Sequence, residues 1–161
     1  MKLGYSGKDS SRFQAGLSAI GFVVFVCLIC VVAYIFISMQ FRSIVSGNEA
    51  GAIIALRSIV NAQKEFRFSY QVYGTLEELV EKKYVENWKA PIQEKAGYLF
   101  RVLPVDNGKW QWYAEAIPKT FNKSGRSSFY VDERGSFKCI KTEIKSFVER
   151  EIAEEWPSID E

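Results

Sequence analysis

Residues Leu17 to Met39 read LSAIGFVVFVCLICVVAYIFISM, 23 positions without a single charge. As a helix this run is about 34 Å long at 1.5 Å per residue, enough to cross a hydrocarbon core of about 30 Å. A secretory signal peptide has a shorter apolar region closed by a small-residue cleavage site, whereas here Gln40-Phe41-Arg42 comes next. The run reads as a retained membrane span, and the core helix of a soluble protein is the weaker reading. The flank Met1–Gly16 carries Lys2, Lys8 and Arg12 against Asp9. The positive-inside rule places that flank in the cytoplasm and Ser43 to Glu161 outside it. The expected organisation is a cytoplasmic leader over 1–16, a transmembrane helix over 17–39, an extracytoplasmic domain over 40–140 and an acidic C-terminal helix and tail over 141–161. Membrane lipid is the first implied partner.

What surrounds the span narrows the chemistry. The whole chain has 161 residues, enough for one modest domain beside the span and too few for two. There is no His, which removes His-based triads, His general bases and His metal ligands together. The formal net charge is +2, with no bulk drive toward nucleic acid. Cys27 and Cys30 have CxxC spacing inside the apolar run, where hydrocarbon disfavours the thiolates that redox or metal chemistry requires, so they read as small apolar fillers. Cys139 is the single cysteine beyond the span, so no disulfide can close within the outer domain.

After Arg42 the apolar pattern changes from continuous to periodic. Ala52, Leu56, Ile59, Phe66, Tyr70 and Tyr73 recur at helical spacing, interrupted by Gln63, and polar residues occupy the other faces. No Pro interrupts residues 17–73, which points to one helix of more than fifty residues, about 80 Å long. Gly74 stands where a C-terminal cap is favoured, and Thr75-Leu-Glu-Glu78 matches a capping box for a short helix to about Glu81.

Tyr84–Pro91 reads as a loop. Gly97–Pro104 and Lys109–Ile117 read as strands joined by the turn signal Asp106-Asn-Gly108. Ser127–Asp132 and Ser136–Ile140 come after them, joined by Glu133-Arg-Gly135. The expected fold is α+β: a long N-terminal helix, membrane-spanning then amphipathic, laid on a small four-strand antiparallel meander, with a short C-terminal helix. Trp110, Trp112, Ala114 and Ala116 alternate onto one strand face, with Gln111, Tyr113, Glu115 and Ile117 on the other. The tail Lys141–Glu161 has seven acids and three bases, with Ile144, Phe147, Val148 and Ile152 at helical spacing, and reads as a solvated surface helix.

This succession resembles the type IV pilin and type II secretion pseudopilin family. Asn48-Glu-Ala-Gly-Ala-Ile-Ile-Ala-Leu-Arg-Ser-Ile59 with Asn61-Ala-Gln63 is similar to the family's helix segment, and Tyr73-Gly-Thr-Leu-Glu-Glu-Leu79 is similar to the family's next segment. Gly97-Tyr-Leu-Phe100, Tyr113-Ala-Glu-Ala-Ile-Pro118, Phe129-Tyr-Val-Asp-Glu133 and Gly135-Ser-Phe137 resemble its strands. The likeness covers residues 16–140 and leaves the acidic tail outside. It implies a non-enzymatic envelope protein without cofactor or metal, acting as a minor subunit or assembly component of a pilus or secretion-type machine. The implied partners are pilin-like subunits, in a homo- or hetero-oligomer, and prepilin peptidase; no nucleic acid is expected. The implied location is the bacterial inner membrane, single-pass, N-in and C-out, with passage into a surface or periplasmic filament. Cleavage is expected between Gly16 and Leu17, with N-methylation of Leu17. The helix-packing residues are Ala52, Leu56, Ile59, Phe66 and Tyr70.

One position departs from the family. Its fifth mature residue is normally Glu, whose carboxylate pairs in lipid with a neighbouring subunit's terminal amine. Cleavage after Gly16 puts Gly21 there, and the alternative cut at Gly21–Phe22 puts Val26. The departure favours a minor or tip subunit, or an unprocessed membrane-anchored relative, over the body of a polymer.

Other chemistries find little support. Asp132-Glu133 beside a turn offers Ca²⁺ ligands without an EF-hand pattern. Ser124, Ser127 and Ser128 have no evident base partner. Asn122-Lys-Ser124 matches a glycosylation triplet by form alone. Trp110, Trp112 and Tyr113 are expected as core beneath the helix rather than as a stacking platform.

Overall fold

The structure, a computed structural model, describes residues 9–86, 88, 92–105 and 110–159, with side chains from Gly21 onward. The chain divides into two compact units at Arg42/Ser43. One helix, α1 (Asp9–Tyr70), contributes to both. In the first unit its most apolar 18-residue window has a mean hydropathy of 3.0 and no part of it is buried. By length and composition this helix can cross a membrane.

In the second unit the same helix carries a stripe of buried residues. Ala52, Ala55, Leu56, Ile59, Ala62 and Phe66 all face the domain core, as the 3–4 spacing anticipates. Fully burying a side chain such as Leu56 or Ile59 contributes about 2 kcal/mol. Gln63 falls on this stripe and is wholly buried, and its amide explains the exception. Nε2 donates to the Gly74 carbonyl at 2.7 Å, and Oε1 accepts the Gly74 N–H at 2.9 Å. The side chain thus satisfies both backbone groups of a residue that neither helix nor strand supplies.

Gly74 is therefore not the helix cap. α1 ends at Tyr70, and Gln71 takes the left-handed conformation at φ 62°, its N–H bonded to the Arg67 carbonyl at 2.8 Å. The anticipated capping box is present: Thr75 Oγ1 accepts from the Glu78 N–H, and the Glu78 carboxylate accepts from the Thr75 N–H. It opens α2 (Leu76–Glu81), whose Leu76 and Leu79 are buried.

The sheet has five strands rather than four, in the order β1 (Gln93–Lys95), β2 (Tyr98–Val105), β3 (Gln111–Pro118), β4 (Ser128–Asp132) and β5 (Phe137–Ile140). All neighbours are antiparallel. The missed strand is three polar residues, too short to show alternation. Its two-residue turn has Ala96 at φ 50° and Gly97 at φ 71°, the doubly left-handed pattern of a tight hairpin. The turn signal at Asp106-Asn-Gly108 lies outside the described residues.

Tyr98, Phe100 and Val102 of β2, Trp112, Ala114 and Ala116 of β3, and Phe129 and Val131 of β4 form one core with the helix stripe. Register sets Ala116 beside Phe100 and Phe129, and Ala114 beside Val102 and Val131. Of the aromatic trio expected beneath the helix, Trp112 alone is there. Tyr113 is buried on the opposite face, and Trp110 is 68% exposed.

The tail departs furthest from expectation. Its helix, α3, covers only Arg150–Glu154, and Ile144, Phe147 and Val148 precede it in irregular chain. Its described acids stay exposed, but the segment also packs Ile144, Val148, Ala153 and Trp156 against Tyr113 and Tyr130 on the second sheet face. Beyond α3 it bonds the outer edge of β5: the Cys139 N–H reaches the Pro157 carbonyl at 2.9 Å, and the Ile159 N–H reaches the Phe137 carbonyl at 3.1 Å. The periodicity reflected intermittent burial, with no continuous helix beneath it.

Two glycines give opposite expectations. A Cβ on Gly125 would lie 2.0 Å from the hydroxyl oxygen of Tyr98, a buried ring whose O–H donates to the Ser127 carbonyl at 2.8 Å. Gly125→Ala should destabilise the protein by about 3 kcal/mol through overpacking. Gly47 lies in the helix with nothing within 4 Å of a Cβ, so Gly47→Ala should stabilise by about 0.5–1 kcal/mol. Denaturant titration of the full chain in detergent, monitored by Trp fluorescence, checks both.

Candidate functional site

Two surfaces stand out, the bare apolar helix of the first unit and the covered second face of the sheet. On the helix, Phe22, Val32, Tyr34, Phe36 and Met39 are each more than 60% exposed. They present hydrocarbon to whatever surrounds them. Cys27 and Cys30 are free and exposed on the same segment. Gly21 has nothing within 4 Å of a notional Cβ. Gly16 and Leu17 fall on the helix, and their side chains lie outside the described residues.

The expected helix-packing residues divide four to one. Ala52, Leu56, Ile59 and Phe66 come together in the core. Tyr70 does not join them: it is 47% exposed and meets the Phe66 ring at 4.5 Å between centroids. At the last residue of α1 the stripe has run past the sheet.

The second sheet face holds a row of polar residues set by register. Arg101 pairs with Glu115, Glu115 with Tyr130 and Tyr130 with Lys138, so the row crosses four strands. Glu115 is wholly buried. Its Oε2 accepts from Arg101 Nη2 at 2.7 Å and its Oε1 from the Val148 N–H at 3.3 Å. Arg101 also donates to the Val148 carbonyl at 2.7 Å and lies 4.8 Å from the Phe147 ring centre. The tail is thereby bonded to both members of the pair, a buried carboxylate and a partly exposed guanidinium.

Farther along the tail, Arg150 fixes α3 to the sheet. It reaches Glu154 at 2.6 Å, Gln111 at 3.1 Å and Glu133 at 3.3 Å. Lys138 donates to the Glu154 carbonyl, and Tyr130 contacts the Glu154 carboxylate at 3.5 Å. Arg150 draws the Glu154 carboxyl below the usual range, chiefly through its hydrogen bond.

Asp132 and Glu133 are engaged in the same architecture. Asp132 Oδ1 accepts the N–H groups of Arg134 and Ser136, each at 3.0 Å, which shapes the turn ending at Gly135. Glu133 meets Arg150. Among the described residues no group of three or more His, Cys, Asp or Glu is arranged to hold a metal.

At the opposite end of the domain, α1 is clamped to the loop between β3 and β4. Asn48 Nδ2 donates to the Ser124 carbonyl at 2.9 Å, and Glu49 Oε1 accepts the N–H groups of Arg126 and Ser127 at 2.9 and 3.1 Å. Sequence periodicity set Asn48 and Glu49 off the apolar stripe and could say no more, because a bond to loop backbone leaves no pattern in the sequence. Glu115 did leave a signal, a lone acid at an alternate position of an otherwise apolar strand.

Comparison with protein-family models, curated proteins and solved structures returns no match, so functional inference rests on this chain's own architecture.

Burial pushes the Glu115 carboxyl above its ordinary 4.5, while Arg101 and the Val148 N–H pull it partly back. A carboxyl raised on folding takes up its proton in the folded state first. Its cost to stability is therefore present at neutral pH and fades as pH falls through the raised value toward 4.5. Arg101→Met leaves that charge buried without its partner and should destabilise the protein by about 3 kcal/mol at pH 7. The difference from the parent should shrink by pH 5 as Glu115 protonates in the variant. Urea midpoints at the two pH values measure this, and a pH-independent difference would contradict it.

Proposed function

We propose that this chain is a non-enzymatic, pilin-like subunit of a bacterial envelope, anchored by a single span. Its role is that of a minor subunit or assembly component in a type IV pilus or type II secretion-type machine. The observation that carries this reading is α1 itself, one 62-residue helix with a bare apolar half and a half built into a domain core. A plain membrane anchor needs only the first half. Here the same helix also supplies the core stripe of the outer unit, which suits a subunit held in a membrane and later drawn into an assembly.

The basic leader supports an N-in, C-out orientation. The apolar half then packs laterally against lipid or neighbouring subunits, where Gly21 and Ala33 permit close backbone approach. The non-enzymatic reading is supported by the engagements of the buried acids: Glu115 lies beneath the tail, and Asp132 shapes a turn.

A second reading is favoured by one observation. Gly21 supplies no carboxylate to pair with a neighbouring subunit's terminal amine. An unprocessed single-span protein whose outer domain binds a partner has no need of that pair.

Intact mass of the protein from its native membranes separates the two. Loss of residues 1–16 with one added methyl is the expected result. A full-length mass in cells with an active prepilin peptidase would overturn the processed-subunit reading and leave the membrane-anchored binding protein.

A further inference from the structure

We propose that the end of the second unit built from the Ala96–Gly97 turn and the loop before β4 docks on anionic lipid headgroups of the bilayer that the chain's own helix enters. The proposal rests on the membrane-spanning reading above.

This end is held together by the Asn48 and Glu49 clamp and by a close approach at Gly97. A Cβ there would lie 2.8 Å from the Ser124 Cβ and 3.1 Å from the Asn48 amide nitrogen. The N–H of Lys119 closes the other side on the Gly97 carbonyl at 2.9 Å. Turn and loop therefore present one fixed surface.

Its outward charge is positive. Lys95, Lys123 and Arg126 are exposed, and none makes an ion pair among the described residues. Lys119 is neutralised by Glu94 at 2.8 Å. The Glu49 carboxylate is turned onto the backbone N–H groups of the loop.

Chain connectivity keeps this surface near the membrane. Asn48 lies nine positions beyond Met39, the end of the apolar run. Even fully extended that stretch spans about 30 Å, so the surface stays within tethered reach of the headgroups. Tethering makes the encounter intramolecular, so three cations suffice where free association would demand more. The exposed acids Glu149, Glu151 and Glu155 belong to the tail on the second sheet face, and an anionic surface repels them, whereas the tail's Glu143 lies beside Lys119 and Lys145 at the edge of the loop.

The test places the full chain in lipid nanodiscs of phosphatidylcholine alone or with about 30% phosphatidylglycerol, and monitors hydrogen exchange over residues 119–127. Exchange should slow at least about threefold in the anionic discs and return to the neutral-disc rate in about 0.5 M NaCl. The triple variant Lys95→Glu, Lys123→Glu, Arg126→Glu should show no dependence on lipid. If that variant is unstable, the salt response of the parent protein decides alone. Incorporation with identical exchange in both discs overturns the docking proposal and leaves the membrane reading standing. Failure to enter discs of either composition, scored by flotation with added lipid, sinks both.

Discussion

The seat of α1 on the sheet is the contact on which the outer unit depends. The middle strand offers methyl groups, Ala114 and Ala116, between the larger Phe100, Phe129 and Trp112. Protein interiors tolerate few voids, so a trough of this kind must be filled, and the stripe Ala52–Phe66 supplies the filling. The alanines at 52, 55 and 62 and the larger Leu56, Ile59 and Phe66 are all buried in the same core as those strand residues. The Gln63–Gly74 bonds then fix where the chain turns back after the helix ends.

Features with a short repeat were legible in the sequence. The apolar run, the 3–4 stripe, the Thr75 capping box and four of the five strands each depend on neighbours within a few residues, so the pattern carries them. Strand β1 was missed because three polar residues at an edge bury too little to alternate. Gly74 was misread because a left-handed helix end is easiest for Gly, yet Gln71 took that conformation three residues earlier. The candidate surfaces were less visible. Asn48, Glu49 and Arg101, and Arg150 in its bond to Glu133, find partners across 14 to 78 positions of sequence. No local rule encodes such distances.

The tail shows the same limit from another side. Its acidity suggested water, and its exposed acids do face water. Its apolar minority, Ile144, Val148, Ala153 and Trp156, covers a sheet face that otherwise exposes Tyr113 and Tyr130. A meander with one helix has a second face to account for. Here the strand composition already asked for a cover, since Glu115 and Tyr130 sit where a solvated face needs neither aromatic bulk nor a buried charge. The ion pair between Arg101 and Glu115 is thus a product of tertiary structure: strands place the two side chains opposite each other, and the tail removes the water.

The bonding of Pro157 and Ile159 to the rim of β5 bears on how the molecule is made. All five strands leave the ribosome before the segment that covers them. During that interval the Glu115 carboxylate is still hydrated, and the free backbone groups of β5 can recruit any extended chain nearby. Arrival of the tail closes both vulnerabilities at once.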